Sequence, residues 1–238
     1  MSAPTPQAGP KVLWPAIAGV LSGGLLITGQ LLFWRTPETD KRGALVTLVH
    51  YYRDEGNQNL SEATALILLG AGLLFLWFLA ELSRRSDTRS KLVLAGGLVF
   101  TIGIMLAGVA GNVFAITANH SKDFLVIPGT ALLSMVLLDV AYGATIAAML
   151  GASVLLFAVW RNHALPSWLT WTGFVIAILC LGGPFSAWGT PLLVGAWTLL
   201  AGAVLIATGA GAGIGAGHAT GTRPSAPPTT TNTTDTSP

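Results

Sequence analysis

Charge is scarce in this chain. Asp, Glu, Lys and Arg together make up 9% of its residues, against roughly 25% in a soluble domain. So little charge cannot cover a surface in water. With 52% hydrophobic residues and a mean hydropathy of +0.67, the expected solvent is the lipid bilayer. The net charge of +2 is too small to attract nucleic acid. Cysteine is nearly absent: the single Cys180 excludes an intramolecular disulfide. The four histidines, His50, His120, His163 and His218, are far apart, and H-E-x-x-H is missing, so no metal site is predicted. No G-x-S-x-G nucleophile turn and no phosphate-binding glycine loop occur either. No cofactor is therefore expected, and an integral-membrane enzyme ranks behind other functions.

What is abundant is apolar sequence. Six runs stand out, approximately Val12–Trp34, Ala63–Ala80, Leu92–Ala118, Ala131–Trp160, Trp168–Ala187 and Pro191–Gly209. A span needs about 20 residues. The first run, of about 23 residues, exceeds a signal-peptide core, and no A-x-A-like site follows it. It reads as a retained transmembrane helix. The fold expected is all-α: a polytopic bundle of six transmembrane helices over residues 12–209, between a disordered segment 1–11 and a disordered tail 210–238. The tail follows from Gly209–Gly217, too rich in glycine to hold a helix, and from the Thr, Ser and Pro beyond it.

Basic residues set the predicted direction. The short loop Glu81–Lys91 holds four of them, Arg84, Arg85, Arg89 and Lys91, and Arg161, Lys11 and Arg223 fall on the same side. Arg35, Lys41, Arg42, Arg53 and Lys122 on the other side are diluted by Glu38, Asp40, Asp54 and Glu55. Both termini are thus expected in the cytoplasm. Trp14, Trp160, Trp168 and Trp171 would mark the inner interface and Trp34 and Trp188 the outer one, while Trp77 and Trp197 are expected in the packed interior.

The outer loop 35–62 carries a helical pattern. Leu45, Leu48, Val49 and Tyr52 share one face, predicting an amphipathic helix over about 41–53. A further helix start is expected at Ser61. Asn59 and Asn119 each open a glycosylation-acceptor tripeptide on this side, a pattern that short sequences reach by chance.

One acidic residue stands in an apolar run. Asp139 lies in Ala131–Ile146, where an ionised carboxylate costs several kcal/mol unless it meets a partner or a cavity. The third and fourth runs form a hairpin centred near Leu125 and Val126, which places Asn112 and Asp139 at one depth. An amide–carboxylate hydrogen bond between them is predicted, with Tyr142 one turn along on the same face. His120 and Lys122, nearer the outer surface, offer charges. Two readings of Asp139 follow. It is a proton, cation or polar-ligand site open to the outside, or it is a structural contact kept partly protonated by burial. Small residues four apart, at Gly19 and Gly23 and at Gly103, Ala107 and Gly111, predict close helix packing within the chain, or a face for a partner helix or second copy.

The segments His163–Gly173 and Leu73–Leu82, the latter ahead of the basic loop, resemble a large group of small bacterial membrane proteins of unknown function, common in actinobacteria. The resemblance covers roughly residues 12–208. It implies a bacterial inner membrane and a single six-helix unit, and it carries over no functional residue. The expected function is non-enzymatic: structural, sensory, or binding a lipid or small ligand. The alternative is a small proton- or cation-coupled transporter using Asp139.

Overall fold

The computed structural model describes residues 14–86, 90–162 and 165–215, and only the backbone of Ser90 and of 209–215. The predicted disordered segment 1–11, and residues 216–238 of the tail predicted over 210–238, lie outside it. Seven α-helices follow in order: α1 (Trp14–Phe33), α2 (Ala44–Arg53), α3 (Glu55–Arg85), α4 (Ser90–His120), α5 (Pro128–Asn162), α6 (Ser167–Cys180) and α7 (Ser186–Gly215). A short 3-10 turn, Gly183–Phe185, precedes α7. The protein is an all-α, polytopic bundle, and α1, α3, α4, α5 and α7 are long and apolar enough to cross a bilayer.

Six helices form the bundle, as expected, but α6 has only 14 residues. At 1.5 Å per residue that is about 21 Å, short of a hydrocarbon layer of about 30 Å. The run predicted over Trp168–Ala187 breaks after Cys180, and α7 begins at Ser186, ahead of the expected Pro191, which lies inside it. At the other end α7 stays helical to Gly215, past the predicted stop at Gly209. Propensity is a local preference, and it does not end this helix.

α1 packs on α3 and α7, α4 on α3 and α5, and α6 on α5 and α7, closing a ring. Its core holds Phe75, Phe78, Phe100, Met149, Leu155, Leu156 and Trp197. Close backbone approach brings the walls together. A Cβ on Gly23 would lie 2.5 Å from the backbone N of Leu199, and one on Gly103 2.8 Å from Ala148 Cβ. The small-residue pattern is therefore occupied by helices of the same chain. α1 and α7 run antiparallel, with Gly23 beside Gly195 and Gly202 beside Ala16, so Trp14 and Gly215 share one end. Arg84, Arg85, Lys91 and Arg161 lie at that end, called the basic end here.

Trp197 is buried as expected, and its indole Nε1 donates to the carbonyl of Leu169 at 3.0 Å. Trp77 departs from expectation. It is 57% exposed on the outer wall of the bundle, where its ring can lie against lipid without displacing the Phe75–Phe78 core.

The opposite end carries the predicted amphipathic helix. α2 starts after Gly43, whose φ of 82° suits a residue without Cβ. Leu48 and Tyr52 from α2 pack with Phe114, Ala115 and Leu138 in a second, smaller core. The Tyr52 and Phe114 rings lie 4.9 Å apart. The Arg53 guanidinium donates to the Val126 carbonyl at 3.2 Å, tying α2 to the α4–α5 loop. The helix expected to start at Ser61 starts at Glu55 instead. Asp54 is the reason: its Oδ1 accepts from Gly56 N at 2.7 Å, an N-cap laid directly on the end of α2. Asn57 and Gln58 then donate to the carbonyls of Tyr51 and Tyr52, at 3.2 and 2.6 Å. Asn59 and Asn119 both lie in helices, and Asn119 donates to Asn59 and to Glu62.

Candidate functional site

The α4–α5 hairpin has the register the sequence implies. Contacts join Gly96 to Leu155 and Gly103 to Ala148, each pair equidistant from the point between Leu125 and Val126. Asn112 and Asp139 therefore do share a depth. They do not share an azimuth. On α5 the face buried around this depth runs through Ala131, Ser134, Leu138, Ala141, Thr145 and Ala148, with Ala144 beside it. Asp139 follows Leu138 by one residue, about 100° around the helix, and is exposed. Asn112 is buried, and its Nδ2 donates to Gly108 O one turn back at 2.8 Å. The predicted amide–carboxylate bond is not made, and the premise that burial governs Asp139 fails with it. His120 turns to Ile116 O and Glu62, at 3.2 and 3.8 Å, far from this task. Lys122 does not line the Asp139 site either.

Asp139 and Tyr142 stand instead on the wall of an open cavity of about 410 Å³. Its existence follows from unequal helix lengths. The Tyr142 hydroxyl donates to the Pro184 carbonyl at 2.8 Å, which fixes the α6–α7 turn level with Tyr142. α5 continues 14 residues, about 21 Å, beyond that level to Pro128. A short α6 beside a long α5 thus leaves a recess. From Asn162 at the basic end to Tyr142 is 20 residues, about 30 Å. Asp139 sits one turn further, level with the end of α1, where Phe33 and Trp34 line the same cavity.

The other walls come from α1, the loop after it, and the start of α7. α1 supplies Gln30 and Phe33, the loop supplies Trp34 and Thr36 to Asp40, and α7 supplies Ala187 and Trp188. Pro191, inside α7, has no N–H to return to the Ala187 carbonyl. Three carboxylates, Glu38, Asp40 and Asp139, line the cavity, and no Lys or Arg does. Glu38 is held by Lys41 at 2.7 Å. That hydrogen bond and charge raise the Lys41 pKa. Asp40 also acts on the Lys41 charge, whereas Asp139 has no ion-pair partner among the described residues. Gln30 is 7% exposed, and its side-chain amide makes no hydrogen bond among the described residues.

Of the three residues singled out from sequence, Asp139 and Tyr142 meet in this cavity and Asn112 does not. Gln30, Asp40, Phe33, Trp34 and Trp188 also line the cavity and are not singled out as a site by the sequence. One signal was present: Trp34 and Trp188 had been assigned to the same interface, and both lie on the cavity wall. No family model, no curated protein and no solved structure matches the chain.

Proposed function

We propose that this is a non-enzymatic, multi-pass membrane protein that binds a small polar ligand in the cavity at its α2 end. The observation that carries the reading is that Asp139 lines an open cavity and not a dry interhelical contact. The lining is divided between aromatic or apolar side chains and polar or acidic ones, and the volume falls in the range of about 300–1,000 Å³ usual for small-molecule sites. The density of basic residues at the far end favours both termini in the cytoplasm, with the cavity facing outward. Membership of the actinobacterial group, and so a bacterial inner membrane, belongs to the same reading. It rests on the segments His163–Gly173 and Leu73–Leu82.

The test is accessibility. Asp139→Cys, in a background where the buried Cys180 is replaced by Ala, is exposed to a charged, membrane-impermeant methanethiosulfonate in sealed cells. Rapid labelling from outside is expected. Labelling only from inside would reverse the orientation, and no labelling from either side would end the binding-cavity reading.

A proton- or cation-coupled transporter using Asp139 is the second reading, favoured by the same water-reachable carboxylate. It requires a path past the level where Gly23 lies against the backbone of Gly195 and Leu199. Flux into proteoliposomes that is unchanged in Asp139→Asn would remove Asp139 as a coupling site.

A further inference from the structure

We infer that the ligand of this cavity is an organic cation, a quaternary or alkylated ammonium group. The inference rests on the cavity being a binding site and names its chemistry. Three independent features converge on it.

The first is charge. Asp139 from α5 faces the cavity without a cationic partner among the described residues, and Glu38 and Asp40 from the loop share one ammonium, Lys41. A cavity with this lining repels anions and attracts cations. The second is aromatic. Phe33, Trp34, Tyr142 and Trp188 come from three separate parts of the chain. Among the described residues none of the four rings stacks on another ring, so their π faces are not spent on one another. A cation within about 6 Å of such a face is attracted by the ring quadrupole, and Trp is the strongest host. The third is Gln30. It is more than nine-tenths buried, lines the cavity, and keeps its amide unpartnered. Its amide atoms are not among the buried unpartnered polar atoms of the described residues, so they open onto the cavity, where a ligand hydroxyl or amine would bond to them.

The geometry also separates an organic cation from a metal ion. No group of three or more His, Cys, Asp or Glu side chains among the described residues is close enough to hold a metal. The carboxylates are spread around a volume of about 410 Å³, which calls for a ligand that fills space between them. An alkylated ammonium has that size, carries its charge at low hydration cost, and presents methyl groups to aromatic faces.

The test uses the full chain in nanodiscs of anionic phosphatidylglycerol. Choline chloride is titrated against tryptophan emission, with its neutral isostere 3,3-dimethylbutan-1-ol and with calcium chloride as comparators. Choline is expected to bind saturably, and the isostere and calcium are not. Asp139→Asn and Trp188→Leu should each weaken choline by roughly tenfold, with Trp188→Phe falling between. The thermal unfolding of each variant reports that it is folded. Repeating the titration in phosphatidylcholine discs distinguishes the source of the ammonium: a lipid headgroup occupying the site would weaken choline there, and a soluble ligand would bind equally in both. Equal binding of the neutral isostere, or tight binding of calcium, would overturn the inference. So would choline affinity unchanged in Asp139→Asn. If Asp139→Cys labels from outside while choline fails to bind, the cavity stands and the cation assignment falls. If it labels from neither side, both fall.

Discussion

Replacing Gly151 with Ala should destabilise the bundle, whereas the same change at Gly143, two turns along the same helix, should not. A Cβ on Gly151 would lie 2.6 Å from Phe100 N and 2.8 Å from Gly96 O. Both are backbone atoms fixed in α4, so no side-chain rotation relieves the clash. Ordinary contact begins at 3.4 Å, so α4 and α5 must separate by about 0.8 Å. A gap of 0.5–1 Å forfeits roughly a quarter to a half of each van der Waals well, and with some 20–40 atom pairs at about 0.1–0.2 kcal/mol the loss is about 1–3 kcal/mol. Membrane helices have little hydrophobic drive to restore the contact. Helix propensity returns up to about 1 kcal/mol on going from Gly to Ala, and the same gain applies at Gly143, where a Cβ meets nothing within 4 Å. The difference between the two variants is therefore the clean quantity, about 1–3 kcal/mol. It is read from denaturant unfolding in mild detergent, followed by tryptophan emission. Equal stability of Gly151→Ala and Gly143→Ala would refute the backbone-contact account of α4–α5 packing.

Three further outcomes follow from named contacts. Leu48→Ala empties the centre of the small core between α2, α4 and α5 and should cost about 2–5 kcal/mol of local stability, seen as faster proteolysis within residues 35–54 while the membrane helices stay protected; unchanged cleavage would refute the role of Leu48 in docking α2. Burial pushes the Tyr52 phenol well above its ordinary value of 10.0. The folded state therefore holds this proton more tightly than the unfolded one, so α2 docking is at full strength below about pH 10 and weakens as pH rises above it; the absorbance difference at 295 nm between the native chain and Tyr52→Phe should show its step only above that pH, together with α2 release. Trp77 is exposed and Trp197 is buried, so brominated lipid should quench less emission from Trp77→Phe than from the native chain, and removing Trp197 should leave the quenched portion unchanged.

The sequence carried lengths and depths well and directions poorly. The α4–α5 register was legible because a hairpin with a short loop ties depth to distance from the turn, and the contacts of Gly96 and Gly103 obey it. α2 was legible because one face of Leu48, Val49 and Tyr52 is apolar against a polar background. The start of α3 was not, because the decisive contact is the cap by Asp54, and Asp in a loop has many uses. The outward turn of Trp77 was hidden for a different reason. In a span apolar on every side, the lipid-facing and core-facing surfaces have the same chemistry, and amphipathic periodicity says nothing about which is which.

The same degeneracy explains the error over Asp139, and correcting it changes what the residue is for. Depth alone made Asn112 its partner. Azimuth sends Asn112 into α4's own backbone and turns Asp139 toward Trp188, Tyr142 and the loop after α1. That turn matters only because α6 is short. Had α6 matched α5 in length, the α6–α7 connection would lie beyond Asp139, and the carboxylate would be pressed against an apolar helix at a cost of several kcal/mol. The break after Cys180 and the early start of α7 instead place a turn, a free recess and two tryptophans at that level. A carboxylate that would be costly in a dry apolar contact is exposed on the wall of a recess, the cavity proposed to bind the ligand.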